Sequence, residues 1–289
     1  MCSSDLLPSD DRNLQDLRIG VVRHFWEQDS AAPPALAAAM EEALRVLSSL
    51  GAHVETIALP PLQQFYDVKT VLTKFEVFAE HKPMLATRLR DFGADFLGMT
   101  LAGALYTADD YALAQSARKK LDAAMCDALT RCDLVVTASS GPAAPFSAYG
   151  PARVIDHWSK PNRETPFGVT GQPALSLCIG FDNDGLPLGM QIAGRAFEER
   201  TVLRAGHAYE LATTWRKRRP VVSMESHAAP APAVSATAPD HDPLLAQAVR
   251  ALHAHGITPA DAQRTQLAAV APHAIAAARR LREIPGVAE

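Results

Sequence analysis

Apolar and polar positions follow two rhythms along this chain, and each change of rhythm marks an element. "LRIGVV" (Leu17 to Val22) is a short apolar run bounded by charge, which predicts a buried strand. Leu36, Met40, Leu44 and Leu47 then recur at steps of three and four and predict one face of a helix. Pro34 suits its first turn and Gly51 its stop. "HVETIAL" (His53 to Leu59) alternates as a second strand. A strand–helix–strand unit predicts parallel pairing through a right-handed crossover.

From Phe65 to Cys132 the pattern is helical. Thr107 and Asp110 are spaced as a capping box, and Leu113, Ala117, Leu121, Met125 and Leu129 follow at i+4 steps. "DLVVTA" (Asp133 to Ala138) reads as a strand and "SSGPAAPFSAYGPA" after it as a loop. "ALSLCIGF" and "LPLGMQIAG" read as two more strands, joined by the hairpin turn "DNDG" with Gly185 free to take positive φ. Glu198 to Thr213 predicts a helix with Val202, Ala205, Tyr209 and Ala212 inward. The cations of "WRKRRP" then sit where its dipole favours them.

The composition then shifts to Ala, Pro and Ser over residues 226–243, a semi-rigid linker. Beyond it, residues 244–289 predict a small helical module. Leu245, Val249 and Leu252 mark one helix. Thr258 as N-cap, Pro259 at N1 and Asp261 at N3 start a second, which Pro272 kinks or splits. A piece this short buries little core alone and is expected to dock on something.

Composition narrows the function. The formal net charge of −4 argues against a nucleic-acid surface, and no long apolar run predicts a membrane span. The cysteines, Cys2, Cys126, Cys132 and Cys178, form no C-x-x-C pair, which fits reduced thiols in the cytoplasm. The hexapeptide from Met1 to Leu6 matches the translation of a common sequencing adapter. Residues 1–16 are therefore expected to be either non-native sequence or a disordered N-terminus.

Candidate chemistry is sparse. Ser139 and Ser140 leave a strand before Gly141, the place for a nucleophile, but no G-x-S-x-G elbow is present and a plain strand exit is favoured. Cys178 lies in an apolar strand, where cysteine packs as a small hydrophobe. The loop with His157, Trp158, Lys160 and Arg163 reads either as a pocket lining, with Trp158 a wall and Arg163 an anion contact, or as a solvated surface. His24, His53, His81 and His207 show no ligand spacing, and His253 and His255 are too close to share a helix face, so no metal is expected. No residue is assigned a catalytic role. The glycines at Gly171, Gly180, Gly185, Gly189 and Gly194 suggest a shaped backbone around a ligand.

"FGVTGQPALSLCIGFDNDGLPLGMQIAGR" resembles a late block of the amidase signature family through Phe167, Thr170, Gly171, Pro173, Ala174, Gly180, Phe181, Gly185, Leu186, Pro187, Gly189 and Gln191. "LRIGVV", "CDLVVTASSGPAAP" and "ELATTWRKRRP" resemble further segments of that family's second half, so the likeness runs from Leu17 to Pro220. Gly168 stands where the family has Asn, and Cys178-Ile179 where Pro-Cys is common.

The resemblance implies an α/β chain: a partial amidase-signature fold, a mixed β-sheet flanked by helices, plus the small C-terminal helical module. Residues 17–225 would form the C-terminal half of the amidase domain. The family's Ser–cis-Ser–Lys triad belongs to a Gly/Ser-rich run and an upstream lysine strand that this sequence lacks. The chain is accordingly expected to be an inactive portion of a hydrolase that cleaves a carboxamide C–N bond. The other reading is a non-catalytic binding or regulatory subunit that pairs with a separate catalytic half. Phe167, Thr170, Gly171 and Gln172 would bind a small-molecule amide without a cofactor, in a chain that forms a homodimer or joins that half. The tail resembles small helical accessory proteins that accompany some amidases and tRNA-dependent amidotransferases.

Overall fold

The computed structural model describes residues 12–139, 160–219 and 242–287. The adapter-like start, Ser140 with Gly141, His157 and Trp158, and most of the Ala/Pro linker lie outside the described residues. In chain order the main elements are β1 (Arg18–Val21), α1 (Pro34–Ser49), β2 (His53–Thr56), α2 (Leu62–Arg88), α3 (Ala94–Thr100), α4 (Ala108–Arg131), β3 (Leu134–Ala138), α5 (Thr165–Thr170), β4 (Ala174–Phe181), β5 (Pro187–Gly194), α6 (Glu199–Ala212), α7 (Pro243–Ala254) and α8 (Asp261–Glu283). The described residues group into two compact units, divided within α2 after Gln63 and within α4 after Lys119.

The first unit holds a mixed sheet of order β2-β1-β3-β5-β4. Ile19 of β1 pairs in parallel with Val54 on one side and Leu134 on the other. β5 runs antiparallel to both β3 and β4. α1 forms where its apolar stripe predicts, and Leu36, Met40, Leu44 and Leu47 are all buried. They pack with Ile19, Val21, Leu134, Val136, Met190 and Ile192 into one core. Gly51 and Gly185 both take positive φ, 98° and 78°, as a helix stop and a hairpin turn require. Asp182 completes that turn by accepting from the N–H groups of Asp184 (3.0 Å) and Leu186 (2.8 Å).

Charged side chains fasten the sheet where β1 and β3 begin. Asp133 accepts from the backbone N–H of Arg18 (2.9 Å) and from the guanidinium of Arg195 (3.0 Å). Burial works against its charge, but the hydrogen bonds from Arg18 and Arg195 outweigh it and hold the carboxyl down at about 2. Arg195 also donates to the carbonyls of Leu129 (2.8 Å) and Cys132 (2.9 Å), which tie the end of α4 to the end of β5.

The second unit is helical. The capping box forms as spaced: Thr107 N–H donates to Asp110 (2.9 Å) and Asp110 N–H to the Thr107 hydroxyl (3.1 Å). The tail helices do not stand alone. Leu245, Val249, Leu252 and Leu267 share a core with Phe78, Leu85, Leu97 and Leu101. Lys74 donates to the Met99 carbonyl (3.0 Å), and burial, helped by Lys69, lowers its ammonium to about 8.

Four local expectations are corrected. Leu113 is only half-buried and Ala114 takes the inward place on α4. Ala212, at the end of α6, is exposed, and Ala208 is buried instead. α8 starts at Asp261 with Ala260 as N-cap, because the Gln263 side chain accepts the Ala260 N–H (2.6 Å) and closes the first turn later than Thr258 would. Pro272 does not split α8, because Val270, Ala271 and Ala274 are buried on both sides of it.

Candidate functional site

The segment from Arg163 to Pro173 builds its shape from local polar bonds. Asn162 accepts from the Thr165 N–H (3.0 Å) and hydroxyl (2.6 Å), and this starts α5. The helix ends after one turn and a half because Gly171 turns left-handed (φ 81°), and its N–H closes on the Phe167 carbonyl at 2.8 Å. Phe167, Thr170 and Gln172 are buried. The Thr170 hydroxyl lies between the Pro166 carbonyl (2.9 Å) and the Gln172 side-chain oxygen, with which it makes a close contact. Gln172 in turn donates to Asp122 of α4 (3.4 Å).

Gly168 and Gly171 are the exposed positions of this segment, and a Cβ at either would meet nothing within 4 Å. Three residues apart on one helical turn, they leave bare backbone on one side of α5. Gly168→Ala should therefore raise stability by about 0.5–1 kcal/mol, since the helix gains a better former without a clash. A urea titration of both proteins reads the shift; a lower midpoint for the variant contradicts the geometry.

Arg163 is neither a surface cation nor a ligand contact on open solvent. It is 5% exposed, and its Nε donates to the Ser139 carbonyl (2.9 Å) while Nη1 donates to the Ser30 carbonyl. Burial pushes its guanidinium down from the usual value. It thereby clamps the exit of β3 to the segment after β1. Ser139 itself donates its N–H to the Gly189 carbonyl (2.9 Å), which continues the β3–β5 ladder by one residue. Cys178 is half-buried with its sulfur 3.4 Å from the Gly180 carbonyl. His24 lies 3.9 Å from Asp29, whose carboxylate accepts the Leu62 N–H (2.8 Å).

The sheet has two unlike faces. Leu134, Val136 and Ala138 of β3, with Met190 and Ile192 of β5, face the apolar core. The alternate positions add polar groups: beside Val135 and Ala193, Thr137 pairs across with Gln191, which pairs with Ser176. The Thr137 hydroxyl and the Gln191 side-chain oxygen are buried without a hydrogen-bond partner among the described residues, while Ala174 and Ser176 on β4 are exposed. The polar alternation in "LVVTASS" and "GMQIAG" was the available signal for this face. Asp122, Asn162 and Ser30 carried no such signal. Among the described residues, no group of three His, Cys, Asp or Glu side chains could hold a metal ion.

Known proteins resemble this chain in sequence and fold. The amidase family model matches residues 2–203. An amidase from Pseudomonas putida is 32% identical over 219 residues, a match that covers 72% of this chain and 46% of that protein. A glutamyl-tRNA(Gln) amidotransferase subunit from Gloeobacter violaceus is 29% identical over 242 residues, covering 74% of this chain and 48% of its own length. Among solved structures, a crystal structure of an amidase superposes with a TM-score of 0.61 at 25% identity, covering 71% of this chain and 47% of that one. A bacterial aryl acylamidase of the amidase signature enzymes superposes with a TM-score of 0.60 at 21% identity, a likeness of fold. The chain thus spans about half the length of the curated relatives it matches.

Proposed function

The chain belongs to the amidase family, and from that premise we propose that it forms the substrate-side half of a carboxamide hydrolase whose reactive serines and lysine come from polypeptide outside these residues. One observation carries this reading: the sheet face of Thr137, Gln191 and Ser176. It combines buried polar atoms that lack partners among the described residues with exposed small residues on β4. A buried, unpaired polar group is costly, so such a face favours an arrangement in which further chain supplies the missing partners. The sequence holds no Gly/Ser-rich run of the kind the family's nucleophile needs. Its relatives are about twice as long as the matched part.

In this reading residues 17–225 are the half-domain, 226–243 a tether and 244–289 an appended helical module. Phe167, Thr170, Gly171 and Gln172 shape the wall of an amide-binding pocket. The bare backbone at Gly168 and Gly171 lets a substrate approach closely, and the Thr170–Gln172–Asp122 contacts hold it there. The reaction adds water across a C–N bond and releases ammonia or an amine, in the cytoplasm and without a cofactor. Among the described residues no helix is long and apolar enough to cross a membrane.

The test is ammonia and amine release from a panel of aliphatic and aromatic carboxamides by the purified chain. No turnover above the blank is expected. Turnover that disappears with Ser139→Ala or Cys178→Ala would overturn the proposal. A second reading is a natural non-catalytic subunit, favoured by the relatives that are named as amidotransferase subunits. A well-behaved monomer in sedimentation supports it, whereas self-association supports the half-domain.

A further inference from the structure

On the core side of the sheet, away from the polar face, α1 and the β4–β5 hairpin border an open groove of about 430 Å³. Ala35, Ala38 and Ala39 of α1 give it a wall without bulk, and Gly180 leaves room opposite. Phe181, Trp215 and Arg218 line its other side. The Phe181 and Trp215 rings meet edge-on, with centroids 6.3 Å apart, and the Arg218 guanidinium lies 4.1 Å over the Phe181 ring. Beneath them, the Trp215 indole nitrogen and the Tyr209 hydroxyl are both buried, near enough for the indole to bear on the phenol. Burial pushes the Tyr209 phenol up to about 12, against the influence of the Trp215 indole.

Two carboxylates, Glu42 and Asp182, and one guanidinium, Arg218, line the groove. Glu42 is paired with Arg45, and Asp182 keeps its charge but turns its Oδ1 to the two turn amides of its hairpin. Arg216 is paired with Glu210 (3.6 Å), and Arg219 donates to the Arg216 carbonyl. Among the described residues Arg218 has no carboxylate partner. A cation held over an aromatic ring keeps its remaining N–H groups for an acceptor, and a planar carboxylate matches a guanidinium in two parallel bonds. Apolar walls of small and aromatic side chains suit a flat hydrocarbon group.

We propose that this groove binds a small aromatic monocarboxylate, its carboxylate on Arg218 and its ring between Trp215 and the alanines of α1. The site is independent of the amidase reading, because neither Ser139 nor any residue of α5 lines it. A carboxylate is nonetheless the class of product that amide hydrolysis yields, so such a ligand would report on accumulated product.

Calorimetric titration of the full chain with benzoate, at fixed ionic strength, tests the proposal. Saturable binding is expected at about 1 mM or tighter, a usual strength for so small a ligand. Benzamide, equal in shape but uncharged, should bind at least tenfold more weakly. Arg218→Gln should weaken benzoate by tenfold or more, and Ala39→Leu, which fills the groove, should abolish binding. Melting followed by circular dichroism shows whether each variant is folded. Arg218→Gln changes an exposed side chain and keeps the test decisive even if Ala39→Leu unfolds. No saturable binding to the unaltered chain, equal affinity for benzamide, or a folded Arg218→Gln protein that binds benzoate unchanged would each overturn it.

Discussion

Asp67→Asn is expected to lower the stability of the helical unit by about 2–3 kcal/mol. Asp67 is 1% exposed and accepts two hydrogen bonds from Arg280, from Nε at 2.7 Å and from Nη2 at 2.6 Å. A carboxylate matches the guanidinium fork with both oxygens; an amide offers one oxygen and turns its NH₂ towards the cation. The variant therefore buries a guanidinium against a partner that repels half of it. Breaking a fully buried pair costs about 3–5 kcal/mol, but Arg280 keeps a third of its side chain in solvent, so the lower figure applies. Asp67→Leu combined with Arg280→Met should recover most of the loss, because apolar packing replaces the pair instead of leaving half of it. Urea unfolding of the three proteins measures this. A loss below about 0.5 kcal/mol for Asp67→Asn would mean that the pair does not hold α8.

The same pair shows what a sequence can and cannot disclose. The apolar stripes of α1 and the alternation in β3, β4 and β5 are local patterns, and the elements formed where those patterns lay. Ion pairs are not local. Asp67 and Arg280 are 213 residues apart, and either alone reads as a solvated charge. α5 was missed for another reason. Six residues containing Pro and Gly carry no helical rhythm, and only the Asn162 cap and the left-handed Gly171 make the turn. The start of α8 was displaced because two caps compete there, and the glutamine at position 263 decides between them. The site region behaved the same way. Phe167 to Gln172 were legible as a shaped segment, but Asp122, which fixes Gln172, lies on a helix that the pattern marked only as structural. The polar sheet face was legible in principle, since Thr137 and Gln191 break an otherwise apolar alternation.

Arg163→Met should cost the sheet unit about 2–4 kcal/mol. Methionine fills much of the space of the arginine stem, so the loss reports the guanidinium bonds more than the packing. Those bonds go to the Ser139 carbonyl at 2.9 Å, to the Ser30 carbonyl and to the Ser30 hydroxyl at 3.3 Å. A carbonyl left buried without a donor costs about 1–3 kcal/mol, and here the buried Ser139 carbonyl and the part-buried Ser30 carbonyl both lose theirs. Arg163→Lys should recover less than half of the loss, because one ammonium on a flexible stem cannot span two acceptors that a planar fork reaches together. The consequence reaches the candidate site through the chain. Arg163 stands two residues before α5, and Ser139 is the last described residue before the loop that follows β3. Releasing the clamp should therefore raise amide exchange in α5 and around Ser30 before it does so in β1 or β3. Hydrogen exchange followed by mass spectrometry separates the outcomes. Faster exchange confined to α5 and Ser30, together with a lower urea midpoint, identifies a positioning residue for the Phe167–Gln172 wall. An unchanged midpoint and exchange pattern would show that the two carbonyls find other donors and that Arg163 positions nothing.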